Sequence, residues 1–312
     1  MATAAYSTEC VLELGSGWVN ARKLEQMLRA AGDALGGAFT GVVIRFAAGC
    51  KLMIDVVIRL LSFCNQVIAM TKRLRLHFEG GEQGIRGYLS RMGFFDCLSP
   101  QAEVVPTRPL FSGAVLHRGC NHGLVEIERF SRSAAADRNL PDRLAKALER
   151  GCTNRADVKE ATKAIANITS ELVGNVFDHS ETGLDAYAAL QTYPQGNRVT
   201  IAVSDSGKGI MGTLRPALQR RGSPLSTLND TELLVETFRQ GISSLDDDKH
   251  GNGLMSCARS AIRYKADLDV RLLRDRVLLR PSDGIYRANT AYSQEGLSLL
   301  WGTHIAFSLQ LS

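Results

Sequence analysis

Glu171, Asn175 and His179 recur at a four-residue step. On a helix that step stacks a carboxylate, an amide and an imidazole along one line. Ile168 and Leu172 fall on nearly the same side, where a core is expected, and polar groups on a half-buried face need partners. A bound phosphate and a metal ion would supply them. Further along, the apolar run Val199–Val203 reads as a strand delivering Asp205 at its end, followed by Gly207 and Gly209. Glycines there let the backbone bend sharply and approach a ligand closely. Gly251, Asn252, Gly253 and Leu254 then open a helix running to Ala266. Its first amides and its macrodipole can hold a triphosphate. Lys249 and His250, just before it, are candidate phosphate contacts. Gly302-Thr303 leads into a last apolar strand. The chemistry these residues suit together is nucleotide binding. Asp178 is read as a solvated helix-end residue, and Lys208 as an exposed loop residue.

Four blocks carry this pattern in order: Glu171–Ser180, Val203–Ile210, Gly251–Leu254 and Gly302-Thr303. Together they resemble the GHKL (histidine kinase-like) ATP-binding fold. The resemblance implies ATP and Mg²⁺ as cofactors, with Asn175 as the metal ligand, which suits an ion that takes few protein oxygens beside phosphates and waters. It assigns Glu171 to polarising the nucleophile, water or a hydroxyl; a carboxylate does so only within hydrogen-bond reach of the attacking oxygen. It makes Asp205 the acceptor for the adenine amino group, sets Ile210 beside the base and puts the Thr303 hydroxyl in the adenine-side network. His179-Ser180 matches the helix ending of the anti-sigma-factor kinases better than that of the gyrase type. Residues 211–250 correspond to the ATP lid, broken in its first half at Pro216, Gly222, Ser223 and Pro224, with a short helix over Thr231–Gln240.

The elements that must position these residues follow from periodicity. Residues 9–14 alternate as a strand, and Ala21–Leu35 has helical spacing. Val42–Phe46 is a buried strand, Leu52–Met70 a helix apolar around nearly its whole circumference, Arg73–Glu79 a strand and Gly84–Leu98 an amphipathic helix. Strand, helix, strand, helix with short joins is an α/β unit. Over residues 8–99 it resembles the STAS domain of anti-sigma-factor antagonists, most closely at Gly87–Phe95. Those antagonists carry a phosphorylatable Ser or Thr at the start of the helix after the central strand. This chain has Ala47-Ala48-Gly49-Cys50-Lys51 there, so the expected role is scaffold or docking. Residues 100–117, with Pro100, Pro106, Pro109 and Gly113, read as a linker, and 118–312 as the ATP-binding domain. That domain begins with the strand Leu124–Phe130, followed by helices near 139–151 and 156–180. Strands are expected at Leu268–Leu273, Arg276–Leu279, Gly284–Ala288 and Gly302–Leu311. The expected fold class is α/β: an N-terminal STAS-like βαβα domain, then a C-terminal GHKL (Bergerat) two-layer α/β sandwich with a mixed sheet.

Composition excludes several classes. The 312 residues are 45% hydrophobic and 22% charged, with a net charge of +5. That is globular, and no dense Lys/Arg cluster with interleaved aromatics marks a nucleic-acid footprint. The most apolar run, Leu52–Met70, is interrupted by Asp55, Arg59, Asn65 and Gln66, so it is read as a core helix and not a membrane span. The first residues lack a signal peptide's basic start and apolar stretch. The seven cysteines are scattered, without a Cys-x-x-Cys pair, as in a reducing cytoplasm. Cys120-Asn121-His122 has no second half that would complete a metal site. The expected protein is therefore a cytoplasmic, Mg-ATP-binding regulator of the anti-sigma-factor serine/threonine kinase type that phosphorylates or switches a protein partner. The alternatives are an ATPase whose lid closure drives homodimerisation, and a nucleotide-gated binding module without chemistry.

Overall fold

The computed structural model describes residues 9–121, 123–131, 139–152, 155–179, 182–244, 252–282, 285–288 and 293–312, with backbone only for 176–179, 252–254 and 286–288. The first part comprises β1 (Glu9–Leu14), β2 (Gly17–Val19), α1 (Ala21–Ala31), β3 (Gly41–Phe46), β4 (Cys50–Leu52), α2 (Ile54–Ala69), β5 (Arg73–Phe78), α3 (Ile85–Met92), α4 (Phe94–Cys97) and β6 (Glu103–Val105). After α5 (Gly113–His117) come β7 (Leu124–Phe130), α6 (Leu140–Gly151), α7 (Val158–His179), β8 (Ala186–Tyr193) and β9 (Arg198–Ser204). Then follow α8 (Gly209–Arg220), α9 (Asp230–Gln240), α10 (Asn252–Arg263), β10 (Asp267–Arg271), β11 (Arg276–Ser282), β12 (Ile285–Ala288) and β13 (His304–Gln310).

The chain is α/β, as expected. Strands β1, β3, β5 and β6 form a parallel sheet in the order β1-β3-β5-β6. Its edge strand β6 comes from residues expected to be linker. The apolar alternation of Leu74, Leu76 and Phe78 is the inward face of β5. Two expected helices are shorter, each for a glycine reason. Gly32, at φ +97°, ends α1 four residues early and donates its N–H to the Arg29 carbonyl. Gly93, left-handed at φ 81°, divides Gly84–Leu98 into α3 and α4.

The second sheet runs β12-β11-β10-β13-β9-β8-β7. The expected mixed sheet is corrected here: every adjacent pair is antiparallel. Strands β9 and β10, joined through helices, do run in the same direction, but β13 inserts between them and opposes both. Strand β8, unforeseen because Ala186–Tyr193 is rich in alanine, lies between β9 and the edge strand β7.

The helices of residues 118–312 lie on one face of this sheet, and a helix of the first unit covers the other. On one face, helices α6 to α10 bury Val199, Ile201 and Val203 of β9 and Ile305, Phe307 and Leu309 of β13. The opposite face is covered by α2. Ala189, Ala202 and Ala306 stand in register across β8, β9 and β13, and share a core with the apolar residues of α2. A row of Cβ-only side chains leaves a trough, so a helix can lie close to the strands. Helix α2 is therefore buried on all sides, one face on the parallel sheet and one on the antiparallel sheet. Its Ile54 N–H, with no cap from its own segment, donates to Tyr193 Oη of β8 at 2.7 Å.

Residues 211–244, expected as the greater part of a lid, are packed. Met211, Leu214, Leu218, Leu233, Leu234 and Phe238 are buried in the second core. Helix α8 continues through Pro216, contrary to expectation; the proline has no N–H to give the Gly212 carbonyl four residues before it. Asn229 caps α9 with a reciprocal Glu232 capping box. Among the described residues, no helix is long and apolar enough to cross a membrane.

Candidate functional site

The last residue of β9 is Ser204, and Asp205 stands just past it. Its carboxylate accepts from Gly207 N at 2.8 Å and from Thr303 N at 3.0 Å. Its own N–H donates to the Thr303 carbonyl at 3.1 Å. The Thr303 hydroxyl accepts from Ile210 N at 2.8 Å, at the start of α8. The donor of that bond is an amide, so the hydroxyl proton of Thr303 stays free for another acceptor. Asp205, Gly207, Gly209, Ile210 and Thr303, expected together from sequence, do meet in one corner.

Two glycines make the corner possible. A Cβ on Gly302, at φ +90°, would lie 2.1 Å from the Asp205 carbonyl oxygen; one on Gly209, at φ +71°, would lie 2.9 Å from the Gly302 carbonyl oxygen. Backbone thus passes backbone without room for a side chain. Burial pushes the Asp205 carboxyl up to about 6, against the lowering by its two amide donors. Asp205 is half-buried, and a partly desolvated carboxylate whose charge is answered by only two amides retains lone pairs for a ligand donor.

Glu171 and Asn175 lie on α7, which buries Ile168 and Leu172 against α10. Glu171 is exposed and Asn175 half-buried. The exposure of Glu171 departs from the half-buried line expected for it, because Ile168 and Leu172 carry the packing. Burial first, and the nearby Glu171 carboxylate second, push the Cys257 thiol of α10 up to about 12. This sets Glu171 beside the helix that begins at Asn252. His179 closes α7 and Asn252, Gly253 and Leu254 open α10, all four without described side chains; Lys249, His250 and Gly251 lie outside the described residues. Among the described residues no group of three or more His, Cys, Asp and Glu side chains could hold a metal.

Sequence reasoning missed the layer behind this corner. Ser204 and Ser206 alternate with Asp205 and turn toward α2. Ser62 and Ser204 hydroxyls are 2.7 Å apart; Ser204 also contacts His304 Nδ1, and His304 Nε2 lies 3.1 Å from the Trp301 carbonyl. A carbonyl only accepts, so Nε2 carries the proton, Nδ1 accepts from Ser204, and Ser204 accepts from Ser62. Burial, with Arg59 and Arg271 nearby, holds the His304 imidazole well below its ordinary value and hence neutral. Gln66 Nε2 donates to Ser206 Oγ at 2.8 Å and to the Trp301 carbonyl at 3.0 Å, and its Oε1 accepts from Trp301 N at 2.9 Å. The signal was present in the sequence: Asp55, Arg59, Ser62 and Gln66 fall on one face of an otherwise apolar helix.

A scan of protein-family models and a search of curated proteins each find no match to this chain.

Proposed function

We propose that this chain binds Mg-ATP at the Asp205 corner and acts as a GHKL-type regulator that phosphorylates or switches a protein partner. The single observation that carries the proposal is the half-buried Asp205 carboxylate, held between Gly207 N and Thr303 N with its basicity raised. A site with one half-buried acceptor, a free hydroxyl proton on Thr303 and backbone crossings that only glycine permits suits a flat, hydrogen-bonding base. Asp205 would accept from the adenine amino group. Asn175 would take the metal, and the open end of α10 the phosphates. The described residues provide no all-protein cage, so the metal would draw most of its ligands from phosphate and water, as Mg²⁺ does. When bound, Mg²⁺ would neutralise phosphate charge. Glu171, exposed on the same helix as Asn175, is free to reach a hydroxyl brought by a partner and take its proton.

The N-terminal unit, diverged from the STAS pattern at Ala47–Lys51, would serve as the platform of the ATP-binding unit and not as its phosphorylated antagonist. The test is to follow γ-labelled ATP incubated with the protein and a host-cell extract, with Asp205→Asn and Glu171→Gln in parallel. Label in a discrete protein band, lost in both variants, is the expected result. Free phosphate alone, lost in both, would replace kinase by ATPase. No nucleotide binding by the unaltered chain would end the proposal.

A further inference from the structure

We infer that Gln66, in the N-terminal unit, is a positioning residue for base recognition at the Asp205 corner. The inference rests on the nucleotide reading of that corner, and its test separates the two. Ser204 and Ser206 bracket Asp205, and Trp301 and His304 bracket Gly302-Thr303; all four are held from behind. Gln66 binds two of them directly, Ser206 and Trp301, through three hydrogen bonds. Ser62 reaches Ser204, and through it His304 and the Trp301 carbonyl.

Gln66 is 0% exposed, and both ends of its amide are engaged on residues more than a hundred positions away in sequence. Its donors and its acceptor are both used, so neither Glu nor Met can reproduce it. Its bonds to Trp301 N and O hold the two peptide groups on either side of that residue. The next two residues are Gly302, which lies against the Asp205 carbonyl, and Thr303, whose N–H fixes Oδ2. A shift of the Trp301 peptide would therefore pass directly to the carboxylate that reads the base. Misplacement of a recognition group by even a fraction of a hydrogen-bond length weakens the contact it makes.

The consequence is base-specific. Loss of Gln66 loosens the contact to the adenine amino group while leaving α7 and the α10 terminus untouched. The measurement is the affinity of the full chain for ATP and for inosine triphosphate, which lacks that amino group, in Gln66→Met and in the milder Ser206→Ala. Melting temperature is recorded for each. The expected result is an ATP affinity reduced about five- to tenfold, as for one lost hydrogen bond, with inosine triphosphate affinity unchanged. Equal loss for both nucleotides, or no loss in a folded variant, would overturn the positioning role and leave the nucleotide site standing. If Gln66→Met does not fold, Ser206→Ala decides by the same comparison. An unaltered chain that binds neither nucleotide would overturn the site itself, and the positioning role with it.

Discussion

Asp205 is ionised at neutral pH only against the resistance of its surroundings. Its carboxyl sits near 6 in the folded chain, against 3.8 ordinarily. The raised value means the folded state holds the proton more tightly, so its stabilising contribution is full below the unfolded value and is lost as pH rises through about 6. The proposed ligand recognition would run the other way, since an ionised carboxylate is the stronger acceptor for an amino group. ATP affinity measured relative to inosine triphosphate is expected to fall about tenfold from pH 7 to pH 5; a ratio flat across that range would remove Asp205 as the reader. Gly302 is equally constrained. Gly302→Ala would press a methyl into the Asp205 carbonyl at 2.1 Å, and titration with a fluorescent ATP analogue should show binding lost, with the melting temperature lowered. Retained binding would mean the corner can reopen without consequence. Of these residues, Gly207 and Gly209 were legible in the sequence as a sharp turn, while Asp205 and Thr303 were singled out by the resemblance of their blocks to an ATP-binding fold. Gln66 stood out only as a polar break in an apolar helix, and Ser204 and His304 did not stand out, since a buried polar side chain announces its partner only after the chain has folded.

At the scale of elements, α2 decides how the two sheets meet. Its Arg59 pairs with Glu25 of α1 at 3.3 Å and with Asp269 of β10 at 3.3 Å, and Glu25 also accepts from Arg271 Nε at 3.0 Å. Burial works against the Asp269 charge, yet the Arg276 and Arg59 guanidiniums hold its carboxyl below the ordinary range. The same register rows that make the alanine trough also carry this polarity. Tyr187, Ser204, His304 and Arg271 lie opposite one another across four strands, bound respectively by Asn65, Ser62, Ser204 and Glu25. Docking is thus specified by direction as well as by area. Glu25→Ala would leave Arg59 and Arg271 buried near each other with one carboxylate fewer. It should cost about 3 kcal/mol or more, read from urea unfolding; a loss below about 1 kcal/mol would show that the network adds little.

Across the whole molecule, the two units share one apolar cluster running from β1 and α2 through to Ala202, Ala306 and Leu300. Removing either half would expose the alanine face on one side and the apolar stripe of α2 on the other. Calorimetry of the full chain should therefore show one transition, with calorimetric and van't Hoff enthalpies in agreement. Two separated transitions would mean that the units fold independently. The sequence by itself determined the α/β class and most strands and helices, because periodicity is a local property of the chain; the residues of the Asp205 corner were brought together in it by the resemblance of four blocks to an ATP-binding fold. Only the tertiary structure decided that the second sheet is antiparallel throughout, that residues 211–244 pack into the core, and that α2 closes the face behind the site. Those outcomes depend on β13 returning between β9 and β10, and on alanines from three strands coming into register. Both are contacts between distant segments, which no local pattern encodes.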